Sequence, residues 1–133
     1  MIAAIDAVSG LSGFFVWLFA LAIGHALADY PLQGAFLADA KNRNTDPFPL
    51  TEKATSPLGL WIHALTAHSL IHAGAVWVIT GSVTCALVEV VLHWLIDFSK
   101  CEGWFGYTTD QLLHISCKVL YAAAITCGWL KLF

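Results

Sequence analysis

Charged residues are scarce in this sequence: they make up 11% of its 133 residues, whereas 59% are hydrophobic. Soluble domains carry about 25% charged residues, so water is not the main solvent of this chain. Lysine and arginine together number six, with no long basic run, and the formal net charge is −3. Nucleic-acid binding needs clustered basic side chains that displace counterions, so we exclude it as a function.

CxxC spacing is also lacking. The four cysteines stand singly, at Cys85, Cys101, Cys117 and Cys127. This pattern indicates neither a disulfide framework nor a zinc knuckle. Isolated cysteines in apolar segments usually behave as small buried hydrophobes, and we expect that of these four.

Long apolar runs, by contrast, dominate the chain. A spanning helix needs roughly 17 to 25 mainly apolar residues, because its backbone must satisfy its own hydrogen bonds in lipid. Four segments qualify, at about residues 11–29, 57–80, 83–100 and 108–129. The sequence therefore predicts an all-α fold in which residues 1–133 form a single transmembrane domain, a polytopic four-helix bundle.

Local signals place the ends of these helices. Pro31 stops the first, and Pro57 suits the first turn of the second. Gly81 and Ser82 leave room only for a tight turn, so the third helix returns antiparallel to the second. Thr108 or Thr109 can cap the fourth, with Asp110 and Gln111 in its first turn.

The polar stretch of residues 33–56 is predicted to be a loop with a short interfacial helix over residues 35–41. Ala26-Leu27-Ala28 looks like a signal-peptide cleavage site, but no lysine or arginine precedes it. We therefore expect the first span to be retained.

Loop lysines and arginines predict the orientation of the bundle. One face carries Lys41, Arg43, Lys53 and Lys100, and the opposite face carries only Lys131. The positive-inside rule then places both termini outside and the two polar loops in the cytoplasm. Tyr30, Trp104 and Tyr107 on the first face, and Trp129 on the other, suit the aromatic belts of a membrane protein. The expected location is the bacterial inner membrane.

Histidines and aspartates recur at a spacing of four residues near the ends of three spans. The pairs are His25 and Asp29, His93 and Asp97, and Asp110 and His114. This spacing puts each pair on one helix face. Because the fourth span runs opposite to the first and third, all three present Asp near the surface and His about one turn deeper. Intramembrane ionisable groups are costly and usually functional.

The second span offers His63, His68 and His72. His68 and His72 share a face, and we favour His68 as a ligand, although His63 matches the depth of the other histidines better. Imidazole and carboxylate ligands suit a divalent metal, zinc first and iron or manganese second. The predicted metal ligands are His25, Asp29, His68, His93, Asp97, Asp110 and His114, for one metal or two. Asp110, Asp97 and His72 are the candidate catalytic groups. The simpler alternative is a hydrogen-bonded network that holds the helices together.

Two more charges lie deeper on adjacent antiparallel helices. Glu89 is one turn inward from His93, and Lys118 is one turn inward from His114. A buried Glu89–Lys118 ion pair is the simple expectation, and a proton relay is the alternative. Near the mouth, Lys41 and Lys100 either meet an anionic substrate group or extend to the membrane surface.

The combined pattern resembles a known family. It consists of His25-x-x-x-Asp29-Tyr-Pro-Leu-Gln33, Lys41, His68-x-x-x-His72, His93-x-x-x-Asp97 with Lys100, and Asp110-Gln111-x-x-His114. The family comprises small bacterial and phage membrane proteins classed as domain of unknown function thirty-three-zero-seven. The resemblance covers about residues 21–120, with His63 outside the pattern, and it implies no activity. The arrangement is also loosely similar to membrane-bound metal-dependent hydrolases, by analogy only.

These observations predict a metal-dependent hydrolase that acts on a lipid-like or phosphorylated substrate at the cytoplasmic face. Transport of a divalent metal or protons is the alternative, but polar residues thin out toward the outer face. Haem binding and a noncatalytic structural role stay open as well. The expected partners are the lipid bilayer and the substrate, and the sequence leaves a homo-oligomer open.

Overall fold

The computed structural model describes residues 10–46 and 57–129, which form five helices and no strand. The helices are α1 (Gly10–Asp29), α2 (Gly34–Ala40), α3 (Leu60–Thr80), α4 (Val83–Cys101) and α5 (Tyr107–Thr126). The predicted all-α fold is confirmed. The N-terminal residues 1–9, residues 47–56 of the predicted loop and residues 130–133 lie outside the described part of the chain, so the loop lysine Lys53 and the C-terminal Lys131 do too.

One predicted helix start and one predicted helix cap are wrong. Pro57 lies outside α3, because Gly59 adopts a left-handed conformation (φ 80°) just before the helix, and the Pro57 carbonyl accepts a hydrogen bond from the Leu60 N–H. At α5, the residue before the helix is Gly106, so Thr108 and Thr109 lie within the first turn and cap nothing. The left-handed Gly59 thus precedes an α3 that begins three residues after Pro57, whereas α5 begins one residue before Thr108, so neither threonine can cap it.

The α3–α4 turn follows the prediction. Gly81 ends α3 in a left-handed conformation (φ 70°), which favours glycine. The Ser82 hydroxyl then accepts a hydrogen bond from the Cys85 N–H and caps α4. These two residues make α3 and α4 an antiparallel pair.

The four long helices form a ring. Contacts join α1 with α3, α3 with α4, α4 with α5, and α5 with α1, while α2 packs on α3. Each neighbour in the ring runs antiparallel to the next, so one end of the bundle collects the end of α1, the start of α3, the end of α4 and the start of α5. We call this the mouth.

Burial in this bundle is reversed relative to a soluble protein. Thirteen of the described buried side chains are polar or charged, against twelve hydrophobic ones, while large apolar side chains such as Phe19, Leu87 and Leu120 are exposed. Two helices, α1 and α3, are long and apolar enough to cross a membrane by length and composition. The bundle thus buries about as many polar side chains as apolar ones and exposes many large apolar side chains.

The interior has two zones. Toward the end opposite the mouth lies an apolar cluster, whose buried members are Trp17, Leu21, Val76, Cys85, Tyr121, Ala122 and Ile125. Toward the mouth the core is polar.

All four cysteines are free. The expectation that they are buried holds fully only for Cys85, because Cys101 and Cys117 are partly exposed and Cys127 is exposed.

Candidate metal centre

Five imidazole rings meet in the polar zone, and we call them the imidazole cluster: His25, His68, His72, His93 and His114. All five are at least 95% buried. The rings of His72 and His93 stack with centroids 3.7 Å apart, and those of His93 and His114 stack at 4.1 Å. His25 lies 5.3 Å from His114. Four separate helix segments therefore deliver histidines to one place.

Two sets of side chains bring their ligand atoms within 4.8 Å of one another. The first consists of Asp29, His68, His72 and His93, from α1, α3 and α4. The second consists of His93, Asp97 and His114, from α4 and α5. His93 belongs to both sets and stands between them.

Distances within these sets match those that a metal imposes. Zinc bonds of about 2.0–2.1 Å in a tetrahedron separate neighbouring ligand atoms by about 3.3–3.4 Å. His68 Nε2 lies 3.5 Å from Asp29 Oδ1 and 3.4 Å from Asp97 Oδ2. His72 Nε2 lies 3.1 Å from Asp29 Oδ1. The first set, with Asp97 beside it, therefore has the donor atoms to hold a divalent ion.

Several buried nitrogen atoms of the cluster have no hydrogen-bond partner. They include both ring nitrogens of His68, and Nε2 of His93. An unpaired polar atom in a dry interior costs about 1–3 kcal/mol, so such atoms usually serve a ligand or a water. The Nε2 atoms of His68 and His93 lie near carboxylate oxygens, an environment that suits a cation.

Glu89 supports His93 from beneath. Its Oε1 lies 3.3 Å from His93 Nδ1, and because a carboxylate only accepts, Nδ1 carries the proton and Nε2 turns its lone pair to the cluster. Lys118 donates to the same Glu89 oxygen, which confirms the predicted ion pair. Imidazole ligands of metals commonly have such a carboxylate behind them.

Three aspartates form a layer between the imidazole cluster and the mouth. Asp97 accepts a hydrogen bond from His114 Nε2 at 3.1 Å, and Asp29 accepts one from His72 Nε2 at the same distance. Asp110 is 99% buried, yet its Oδ1 has no hydrogen-bond partner. The predicted order, aspartate nearer the surface and histidine deeper, therefore describes all three helices.

Comparison with protein families matches residues 17–132 to the family described as Protein of unknown function (DUF3307). The chain belongs to this family. No curated protein and no solved structure matches it. The DUF3307 match spans every residue of the two ligand sets, so the metal centre lies inside the region that defines the family.

Two predicted metal ligands of this DUF3307 protein, His25 and Asp110, lie outside the two ligand sets, as does His63, which we did not favour. His25 Nε2 donates to Gln111 Oε1 at 3.3 Å, so His25 borders the centre. Asp110 is also adjacent, with Oδ1 3.4 Å from His114 Nε2. His63 is exposed on the outside of α3, whereas His68 is fully buried among the other rings.

Lys41 takes a role that sequence reasoning did not assign to it. Its ammonium group is buried and donates to Asp97 Oδ2 at 2.5 Å and to Gln33 Oε1 at 2.7 Å. The short helix α2 folds back over the mouth and brings Lys41 to that position. Periodicity could not show this, because the contact depends on the path of a loop.

Gln111 is the other residue that was overlooked. Its side-chain amide donates to Asp29 Oδ2 at 3.0 Å and to Asp110 Oδ2 at 3.2 Å, while its oxygen accepts from His25. It thereby ties α1 to α5 across the aspartate layer. The signal in the sequence was its place beside Asp110 in the motif.

An exposed salt bridge fastens the segment after α2. Arg43 donates two hydrogen bonds to Glu102, at 2.7 and 2.6 Å. The guanidinium also lies over Trp61 and Phe98, 5.7 and 5.3 Å from the ring centroids. This pairing holds the pKa of the Glu102 carboxyl below its ordinary value.

Proposed function

We propose that this DUF3307 protein is a membrane-embedded, metal-dependent hydrolase with its active centre at one membrane face. The observation that carries the proposal is the first ligand set, where unpaired imidazole nitrogens and carboxylate oxygens face the same buried space. When bound, a divalent metal supplies Lewis-acid polarisation and lowers the pKa of a water molecule. Zinc fits the donor set best, and iron or manganese also accept it.

The residues divide into holders and reactive groups. Asp29, His68, His72 and His93 would hold the ion, and Asp97 lies close enough to complete its shell. Asp110 is the best candidate for a general base, because its unpaired oxygen lies beside the centre and its residue also lines the mouth. We assign Asp97 and His72, candidate catalytic residues by sequence, to the metal site.

A transport function is less well supported, because the polar zone ends inside the bundle. Below the Glu89–Lys118 pair, the described core is the apolar cluster together with Thr80 and Ser82, whose hydroxyls bond the backbone. A transported ion would need ligands leading to both faces. The centre has one polar approach, as a hydrolase requires.

Two further alternatives make different demands. Haem needs a flat space between two axial histidines, whereas the rings here stack directly on one another at 3.7 and 4.1 Å. A structural polar network would account for the lysine–carboxylate bonds, but it would leave the unpaired imidazole nitrogens unexplained. The metal proposal accounts for the lysine–carboxylate bonds and for the unpaired imidazole nitrogens.

The membrane setting is part of the proposal. We infer four spans, α1, α3, α4 and α5, because the outer surface of all four is apolar while their charges point inward. Lys41, Lys100 and Arg43 lie at the mouth, and by the positive-inside rule we infer that the mouth faces the cytoplasm of a bacterial inner membrane, with both termini outside. Exposed aromatic side chains mark the two ends: Tyr30, Trp104 and Tyr107 at the mouth, and Trp129 at the other. The bilayer is then the principal partner, and a lipid-like or phosphorylated molecule is the substrate.

A matched pair of variants tests the proposal. His68→Ala removes a buried member of the first ligand set, and His63→Ala removes an exposed histidine on the same helix. Zinc content and turnover of lipid and phosphoester panels are measured on protein in detergent, with and without chelator. We expect stoichiometric zinc and chelator-sensitive turnover in the wild type and in His63→Ala, and loss of both in His68→Ala. Wild-type protein that binds no divalent metal, or that shows no chelator-sensitive turnover, would refute the proposal.

A further inference from the structure

A cavity of about 140 Å³ opens at the mouth above the metal centre, and we call it the vestibule. Its floor is the aspartate layer, Asp29, Asp97 and Asp110. Its walls are polar side chains from four elements or their ends: Tyr30, Gln33, Lys41, Lys100, Tyr107 and Gln111. The vestibule therefore joins the outside to the centre.

The two lysines of the wall have hydrogen-bonding capacity left. An ammonium group has three N–H donors. Lys41 uses two of them, on Asp97 and Gln33, and Lys100 uses one, on Asp110 Oδ2 at 3.0 Å. The hydroxyls of Tyr30 and Tyr107 lie 2.6 Å apart at the outer edge and add further polar atoms. Spare donors of this kind fit an acceptor-rich anion.

Charge decides when such an anion can enter. The polar zone contains four carboxylates, of Asp29, Glu89, Asp97 and Asp110, and three lysines, Lys41, Lys100 and Lys118. The three lysines pair with three of the four carboxylates, so the metal-free centre has no excess of positive charge to attract an anion. A divalent ion supplies that positive charge, and anion binding should then follow metal binding.

We propose that the vestibule binds the phosphomonoester group of the substrate, with Lys41 and Lys100 donating to its oxygens. The inference rests on the proposed function, because the metal makes the floor attractive to the anion. With a volume of about 140 Å³ the vestibule has room for a phosphate group, and we place the rest of the substrate outside it. A lipid headgroup and a free phosphate share this chemistry.

Binding of inorganic phosphate to detergent-solubilised protein, followed by isothermal titration calorimetry, tests the inference. Zinc-loaded wild type should bind phosphate about tenfold or more tightly than zinc-free protein. Lys100→Gln should weaken binding by about tenfold or more, the effect of losing one charge-assisted hydrogen bond, while Lys100→Arg restores it. Arg43→Gln is the matched control, since it removes a cation at the same face that does not line the vestibule, and it should leave affinity unchanged.

The outcomes separate the two proposals. The vestibule site would be overturned if zinc-loaded wild type does not bind phosphate. It would also be overturned if Lys100→Gln retains zinc and binds phosphate as tightly as the wild type does. Neither result would contradict the metal centre. Wild type that binds no zinc would overturn both. If Lys100→Gln fails to fold, the zinc dependence of phosphate binding by the wild type decides alone.

Mixed micelles then identify the source of the phosphate. Phosphatidic acid, a monoester, should displace bound phosphate if a lipid is the natural ligand, and its failure to do so would assign the site to free phosphate. Equal displacement by phosphatidylcholine, a diester, would contradict the monoester preference. Each variant is also assayed for zinc by elemental analysis, which provides a readout independent of turnover.

Discussion

Removing the charge of Glu89 tests whether this carboxylate strengthens the metal ligand His93. The single substitution Glu89→Gln would leave the Lys118 ammonium buried and unpaired, which costs roughly 3–5 kcal/mol and threatens folding. The double variant Glu89→Gln/Lys118→Met removes both charges together. Replacing a whole buried pair is often close to neutral, so we expect it to fold.

The structure sets the expected size of the effect on zinc binding. Loss of a supporting group behind a ligating histidine usually costs 10–100-fold in metal affinity. The glutamine oxygen can still accept the hydrogen bond that Glu89 Oε1 receives from His93 Nδ1 over 3.3 Å. Only the charge is lost, so we expect the lower end, about tenfold, or about 1.4 kcal/mol. The buried side-chain N–H groups of the new glutamine have no partner, which destabilises the metal-free and metal-bound forms equally. Their effect therefore cancels in the zinc affinity.

Competition with a chromophoric zinc chelator in detergent measures the affinity. Glu102→Gln is the matched control, because it removes a carboxylate that contacts Arg43 and no histidine. Thermal denaturation of the zinc-free proteins checks that the double variant is folded. Zinc affinity within twofold of the wild type in a folded double variant would refute the reasoning that Glu89 acts through His93.

Two further predictions concern the mouth and the membrane. In Arg43→Gln, the Glu102 carboxyl should titrate nearer its ordinary value of 4.5 than in the wild type, since the guanidinium lowers its pKa; carboxyl NMR in detergent measures this, and an unchanged midpoint would contradict it. The Arg43–Glu102 pairing should accordingly persist below pH 4.5 in the wild type and be lost as the pH falls through the lowered pKa. For topology, an impermeant thiol reagent added to intact cells should label exposed Cys127 from outside and leave a Glu102→Cys residue untouched in a background without the other cysteines. The reverse labelling would invert the proposed orientation.

Much of the site could be predicted from spacing alone. A helix repeats every 3.6 residues, so His25 and Asp29, or His93 and Asp97, had to share a face, and reversal of chain direction in α5 put His114 and Asp110 at matching depths. Depth alone favoured His63, which lies on a different face of α3 from His68. The face that His68 shares with His72, and the resemblance to the family pattern, favoured His68.

The remaining parts of the site depended on loops and packing. Lys41 reaches Asp97 only because the chain turns back after α1 and α2 packs on α3. Gln111 bridges Asp29 and Asp110 only because α1 and α5 are neighbours in the ring. Periodicity within one helix carries no information on either point. The start of α3 was misplaced because the left-handed Gly59 turns the chain just before the helix, and the threonines expected to cap α5 lie inside its first turn.

The lysines explain how so many carboxylates can lie in an apolar bundle. Asp97 is neutralised by Lys41, Asp110 by Lys100, and Glu89 by Lys118, and each pair lies around the edge of the imidazole cluster. An isolated buried charge is far more costly than a paired one, so these three bonds make the polar zone tolerable without a metal. Asp29 has no lysine partner among the described residues, and its oxygens instead contact Gln111, His68 and His72. Of the four carboxylates in the polar zone, Asp29 is thus the one without a lysine, and it contacts two histidines of the first ligand set. A metal ion bound there would supply the positive charge that a lysine supplies to the other three.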